Sequence, residues 1–234
     1  MTAKDIRFRL RKLGDKQRSR FLQKFFKTGR GEYGEGDIFL GIRVPEVRRL
    51  AKQCQGLPVR EGLHLLRSSF HEERLLALLI LAGAYSRADE SEKRTIYESY
   101  LRNTKSINNW DLVDISASSI VGAHLFKKSK RPLYGLTKSK SLWERRIAVM
   151  ATFYFIRHNR FTETLKISRI LLSDGEDLIH KAVGWMLREV GKRSPKTEED
   201  FLRRHYQRMP RTMLRYAIER FPEAKRRMFL EGKI

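Results

Sequence analysis

The chain has 234 residues, 41% hydrophobic and 33% charged, which suits a folded globular protein and excludes a disordered one. No stretch approaches the ~18 uninterrupted apolar residues of a membrane span, the charged start MTAKDIRFRLRKLGDKQ has no apolar segment or cleavage site of a secretory signal, and the single cysteine, Cys54, rules out an internal disulfide and fits a reducing compartment. Fifty Lys+Arg against 27 Asp+Glu give a net charge of +23, an excess that opposes compaction by self-repulsion and is most simply explained by a polyanionic partner.

In chain order, the apolar spacing predicts helices at 3–13, 15–27, 44–54, 58–67, 71–87, 91–102, 108–125, 131–138, 142–158, 162–172, 177–192, 197–208, 211–220 and 222–230. Between the second and third lies 28–42, TGRGEYGEGDIFLGI, with five glycines and no helical period. It matches no phosphate-binding glycine motif and no strand precedes it, so it reads either as a flexible connector or as a loop with a direct functional role. Ser69 to Glu72, Ser141 to Glu144 and Thr197 to Asp200 each have capping-box spacing before an apolar run. Pro45, Pro58, Pro132, Pro195, Pro210 and Pro222 all fall at or just before predicted helix starts, where a missing amide costs little.

The short helices and short turns imply antiparallel neighbours, and a repeat runs through them. Arg74 before Ala77, Arg145 and Arg146 before Ala148, His180 and Lys181 before Ala182, and Arg215 before Ala217 place a basic residue ahead of an alanine on an apolar face. The alanines are spaced by 71, 34 and 35 residues, and Ala117 falls inside the double gap. A period near 35 with two helices per unit predicts an all-α, HEAT-like helical-repeat solenoid of about six antiparallel helix pairs, with 1–234 as a single domain. Its basic helix ends would suit a polyanionic rod such as duplex DNA. The cations are spread from Arg7 to Lys233 rather than gathered on one amphipathic helix, so no membrane is expected.

His64, His71, His124, His158, His180 and His205 show no ligand spacing, so no metal is expected, and no nucleophile motif is present. The segment INNWDLVD (107–114) puts Trp110 and Asp114 four residues apart, on one face of a helix. Asp111 points to another face and could serve the helix N-terminus. Trp185 follows Gly184 in KAVGWMLR, and a glycine inside a helix signals a close approach. Taken singly, a helical tryptophan is ordinarily core and an early aspartate ordinarily a cap. Their combination in a basic helical repeat favours function.

Four motifs in order, FFKTGRGEYGEGDIFLGIRVPEVRRLAK (25–52), NNWDLVD (108–114), LWERRIA (142–148) and HKAVGWMLREVGKRSP (180–195), make the sequence resemble the DNA alkylation repair family of AlkD-type glycosylases. The resemblance implies that Trp110, Asp114, Arg146 and Trp185 line the site at a damaged nucleotide, together with an aromatic near the first helix pair, for which Phe25, Phe26 and Tyr33 are candidates. Asp114, Trp110 and Trp185 are then the catalytic set, and Arg145, Arg43, Lys181, Arg188 and Arg215 are expected to join Arg146 as DNA contacts. The implied activity is that of a monofunctional DNA glycosylase hydrolysing the N-glycosidic bond of cationic N3- or N7-alkyl purines in base excision repair. It would act without cofactor or metal, as a cytoplasmic, nucleoid-associated monomer on double-stranded DNA, reading the lesion while it remains in the duplex. The competing readings are a non-catalytic HEAT-repeat DNA binder and a protein–protein scaffold. The Trp110–Asp114 pair argues against the first and the charge of +23 against the second.

Overall fold

The computed structural model describes residues 1–234, is all-α, and contains no strand, only one isolated parallel bridge between Ile38 and Phe70. No helix is long and apolar enough to cross a membrane. The chain groups into two compact units, 1–120 and 121–234.

In the first unit α1 (Ala3–Arg11), α2 (Lys16–Phe25), α3 (Val44–Gln53), α4 (Val59–Leu66), α5 (His71–Arg87), α6 (Glu90–Arg102) and α7 (Trp110–Ala117) follow in order. Helices α3, α5 and α7 pack in succession as a row, with α4 and α6 against α5 and α1 against α4. Because α5 is covered by neighbours on several sides, it buries Leu75, Leu76, Leu78, Ile80 and Leu81 and shows no single apolar stripe. Cys54 caps the C-terminus of α3 and is fully buried, and burial pushes its thiol up from the ordinary value.

After α7 the backbone passes through a π-helical turn at Ser118–Gly122. In the second unit α8 (Ala123–Leu125), α9 (Arg131–Leu136), α10 (Leu142–Arg157), α11 (Thr162–Ile170), α12 (Asp177–Gly191), α13 (Pro195–His205), α14 (Arg211–Ala217) and α15 (Glu223–Glu231) follow. Here α10, α12 and α14 form the row, with α9 and α11 against α10 and α13 against α12. This alternation of row and flanking helices in each unit is what a HEAT-like repeat requires.

The repeat alanines explain the row. Ala77, Ala117, Ala148, Ala182 and Ala217 are all fully buried, one on each of α5, α7, α10, α12 and α14. All six prolines stand at helix starts, as expected. Two of the three capping boxes are corrected. Only Ser141 caps its helix, accepting from the Glu144 amide. Helix α13 begins earlier, at Pro195 with Ser194 as its cap residue, so Thr197 sits inside the first turn. Helix α5 is preceded by Phe70 without any side-chain cap, and Glu72 is used elsewhere. The helix expected over 108–125 is interrupted by the π turn, whose last residue, Gly122, lies so close to α10 that a Cβ there would be 2.2 Å from the Ala151 carbonyl oxygen.

Gly184 makes the matching contact between α12 and α14. A Cβ at this position would lie 2.4 Å from the Met213 carbonyl oxygen and 2.5 Å from the Tyr216 Cβ. Gly184→Ala therefore sets a propensity gain of about 1 kcal/mol against backbone overlap that costs about 1–3 kcal/mol, and more where the helices cannot separate. Net destabilisation is expected in urea unfolding, the opposite of what an exposed helical Gly→Ala exchange gives.

Candidate functional site

The site in the first unit is built on the start of α5, where four charged residues in succession are buried: His71 is 1% exposed, Glu72 2%, Glu73 0% and Arg74 4%. Unpaired charges there would cost several kcal/mol each, and every one has a partner. Glu72 accepts from three consecutive backbone amides, Leu40 at 2.8 Å, Gly41 at 2.8 Å and Ile42 at 3.1 Å. Glu73 takes the guanidinium groups of Arg7 at 3.0 Å and Arg11 at 2.8 Å. Arg74 donates to Asp37 at 2.7 Å, to Asn108 at 3.2 Å and to the carbonyls of Ser68 and Ser69. His71 bridges Asp37, 2.7 Å from Nδ1, and Asp111, 2.8 Å from Nε2.

These bonds decide what the glycine-rich segment is. Its carboxylate Asp37, its amides at 40–42 and the bridge at Ile38 are all fastened to α5 or to the residues just before it, so the 37–42 end of the segment is anchored rather than a loose connector. Gly41 is required twice over. Its φ of +84° is left-handed, and a Cβ would lie 2.1 Å from the Asp15 carbonyl oxygen.

The His71–Asp111 bond carries the same anchoring to α7, and Asn109, the cap residue of α7, also donates to Asp37 at 3.2 Å. Asp111 thus faces α5 and fixes the helix on which Trp110 and Asp114 sit. Trp110 is half-buried, with its ring stacked on Phe26 (centroids 5.2 Å, planes 12° apart) and met edge-on by Phe25 at 6.4 Å. Phe26 in turn stacks on Phe39, and Phe39 on His71. Of the three aromatic candidates, Phe26 is a buried support behind Trp110, Phe25 is exposed beside it, and the Tyr33 hydroxyl reaches the Phe25 carbonyl. Asp114 lies one turn after Trp110, half-buried. Burial, with the charge of Asp114 added, pushes the Tyr100 phenol well above its ordinary value against the opposing bond to Ser116.

In the second unit Trp185 is half-buried on α12, donating Nε1–H to Glu189 at 3.1 Å, with Phe153 6.3 Å away. Arg146 is buried and donates to the Leu178 carbonyl at the start of α12. Arg145 pairs with Asp174 at 2.7 Å and bonds the carbonyls of Ser139 and Lys140. Lys181 pairs with Asp177, and Arg188 with Glu219. Arg43 and Arg215 are exposed and carry no ion pair. Of the basic residues of the repeat, Arg74, Arg145 and Arg146 act as staples, whereas Lys181 pairs within its own helix and Arg215 is exposed. In both units the staples tie the start of one row helix to the start of the next, Arg74 and His71 to the α7 end and Arg145 and Arg146 to the α12 end.

The sequence reading singled out Trp110 and Asp114 and missed their supports, Asp37, His71 and Glu72. The available signal was four charged residues, HEER, directly abutting the apolar run LLALLIL. No cluster of three or more His, Cys, Asp or Glu side chains is arranged to hold a metal ion.

The model of the DNA alkylation repair enzyme family matches residues 6–221, and the chain belongs to that family. Among solved structures it is similar to a predicted DNA alkylation repair enzyme from Enterococcus faecalis, at 16% identity and a TM-score of 0.69, covering 90% of this chain and 97% of that one. It is also similar to smu.31 from Streptococcus mutans UA159, at 18% identity and a TM-score of 0.54, over 88% of this chain and 98% of that one. At these identities both show a shared fold. No curated protein sequence matches the chain.

Burial alone pushes the His71 imidazolium down, but Asp111 and Asp37 outweigh it, and its pKa is raised from 6.5 to about 9. Asp37 is held below the usual carboxylate range because His71 and Arg74 overcome its own burial. A group raised in the folded state stabilises fully below its unfolded pKa and loses that contribution as pH climbs through the folded value. The His71 contribution is therefore complete below about pH 6.5 and lost by passage through about pH 9. His71→Ala, which leaves the buried Asp37 and the half-buried Asp111 without their shared donor, is expected to cost about 3–5 kcal/mol at neutral pH. In urea melts the gap between wild type and variant should narrow from pH 6.5 to 9; a gap that stays constant would mean the imidazole is neutral throughout.

Proposed function

We propose that this chain is a monofunctional DNA glycosylase that hydrolyses the N-glycosidic bond of cationic N3- or N7-alkylated purines in duplex DNA, acting as a monomer. The observation that carries this reading is Trp110: an indole held half-open by Phe26 behind it, with the carboxylate of Asp114 one helical turn away, in a chain of charge +23. An indole face attracts a cation by ~0.5–2 kcal/mol, and a base already alkylated at N3 or N7 is one.

Hydrolysis breaks the C1′–N bond, and the electron pair leaves with the base, which departs neutral and needs no general acid. The sugar becomes oxocarbenium-like. Asp114 then has two tasks, to stabilise that cation and to orient the water whose oxygen forms the new bond to C1′, its proton passing to the carboxylate or to solvent. In the second unit Trp185 carries an indole of the same kind, half-buried on α12. Arg43 and Arg215, exposed and without an ion pair, are the proposed direct phosphate contacts, whereas Arg146, Arg145, Lys181 and Arg188 would give the DNA a positive field from side chains that are also ordered by protein partners.

Asp114→Asn keeps the shape and removes the charge that matters as the sugar becomes cationic. Single-turnover release of N7-methylguanine is expected to fall by at least ~10²-fold, with affinity for the same duplex equal or slightly higher. Excision at the wild-type rate would make Asp114 a structural residue and leave a DNA-binding protein without this chemistry. Binding to undamaged duplex should weaken steeply with salt, each phosphate neutralised contributing about −0.9 to the log–log slope. A slope near zero would remove the DNA-binding premise.

A further inference from the structure

Helix α2 is unlike the others with respect to burial. None of its residues is buried, it contains no acidic residue, and its sequence KQRSRFLQKF carries two phenylalanines at i and i+4. Their side chains face out, Phe21 64% and Phe25 55% exposed, with planes 17° apart and centroids at 6.1 Å. The pair abuts the candidate site, since Phe25 meets the edge of Trp110. Around it Lys16, Arg20, Lys24, Lys27 and Arg30 are exposed and form no ion pair, while the nearby carboxylates Glu32 and Glu35 are turned onto the amides of Gly29 and Gly31. Two solvent-facing aromatic rings are costly to leave uncovered in water, and the fold does nothing to cover them.

We propose that Phe21 and Phe25 form a stacking platform for an unpaired DNA base, reached along the cationic edge of α2 and continuous with Trp110. The inference rests on the DNA reading above and goes beyond it by naming a further DNA form that this surface takes, a duplex with a bulged, gapped or displaced nucleotide. The chemistry selects this partner. Parallel exposed rings present π-faces, which any base can meet without sequence preference, and the flanking cations follow the backbone. A fully paired duplex keeps its base faces inside the stack, so it engages the cations alone. A protein partner or an anionic membrane would use the same apolar area without requiring aromatic faces.

The test compares the full chain with Phe21→Ala, Phe21→Leu and Phe21→Trp, titrated by anisotropy against one duplex fully paired and the same duplex with a single bulged base. Phe21 is mostly exposed, so all variants should melt as the wild type does. Wild type is expected to prefer the bulged duplex; Ala and Leu should lose about tenfold of that preference, Trp should keep it, and affinity for the paired duplex should change by less than about twofold. Equal preference in Phe21→Ala overturns the platform, and so does full retention in Phe21→Leu, which keeps apolar area but has no ring. Paired-duplex binding by wild type with no bulge preference overturns the platform alone. Failure of wild type to bind either DNA overturns the DNA reading and the platform with it. Loss in Phe21→Ala of binding to phosphatidylserine vesicles, with DNA binding intact, assigns the surface to a membrane instead.

Discussion

Four charges buried in one helical turn are the constraint on which the first unit depends. His71, Glu72, Glu73 and Arg74 enter the core where a hydrophobic helix would ordinarily begin with exposed polar groups, and each finds partners in segments distant in sequence, Asp37 and Asp111, the amides of 40–42, Arg7 and Arg11, and Asn108, with only the Nε of Arg74 left without one. The two glutamates also sit at the positive end of the α5 dipole, where negative charge is favoured. Such a cluster is cheap only when complete, because removing one partner leaves another charge stranded. It therefore specifies where α1, the 37–42 stretch and α7 must lie, more sharply than apolar packing would. Phe39 is carried with that segment onto His71, Phe26 stacks on Phe39, and Trp110 stacks on Phe26. The half-open indole is the far end of that chain of contacts.

The second unit repeats the device with different residues. Arg145 and Arg146 at the start of α10 reach Asp174 and the Leu178 carbonyl at the start of α12, and the buried alanines and Gly184 let the row helices close to backbone contact. Small residues set the spacing and basic residues the alignment. One consequence concerns charge. A cation that staples two helices is held in place and cannot swing to a ligand, so the mobile part of the +23 excess resides in exposed side chains such as Lys24, Arg43 and Arg215.

Much of this architecture is written locally. Helix positions, the prolines at their starts and the alanine register follow from spacings of three, four and about 35 residues, and Trp110 with Asp114 is a local i, i+4 pair. What was not legible had partners far away. Glu72 has the right spacing for a capping box with Ser69, but its carboxylate serves amides some 30 residues earlier. Thr197 was displaced as a cap because Pro195 starts the helix sooner. His71 lacks any ligand-like spacing because its two carboxylates come from a loop and from another helix. The π turn at Ser118–Gly122 answers to a neighbour, α10, that no window around it contains.

Cys54 gives the molecule an unplanned convenience. The only thiol in the chain is sealed at the end of α3 with no accessible surface, and burial keeps it in its unreactive protonated form. A cysteine placed at any exposed position can therefore take a dye or spin label without competition, and no pre-emptive removal of the native residue is needed. The sealed thiol is also a clock. Its slow capture by a small alkylating reagent would count the openings of the α3 end, reporting local breathing of the first unit in a protein whose site depends on that unit staying closed.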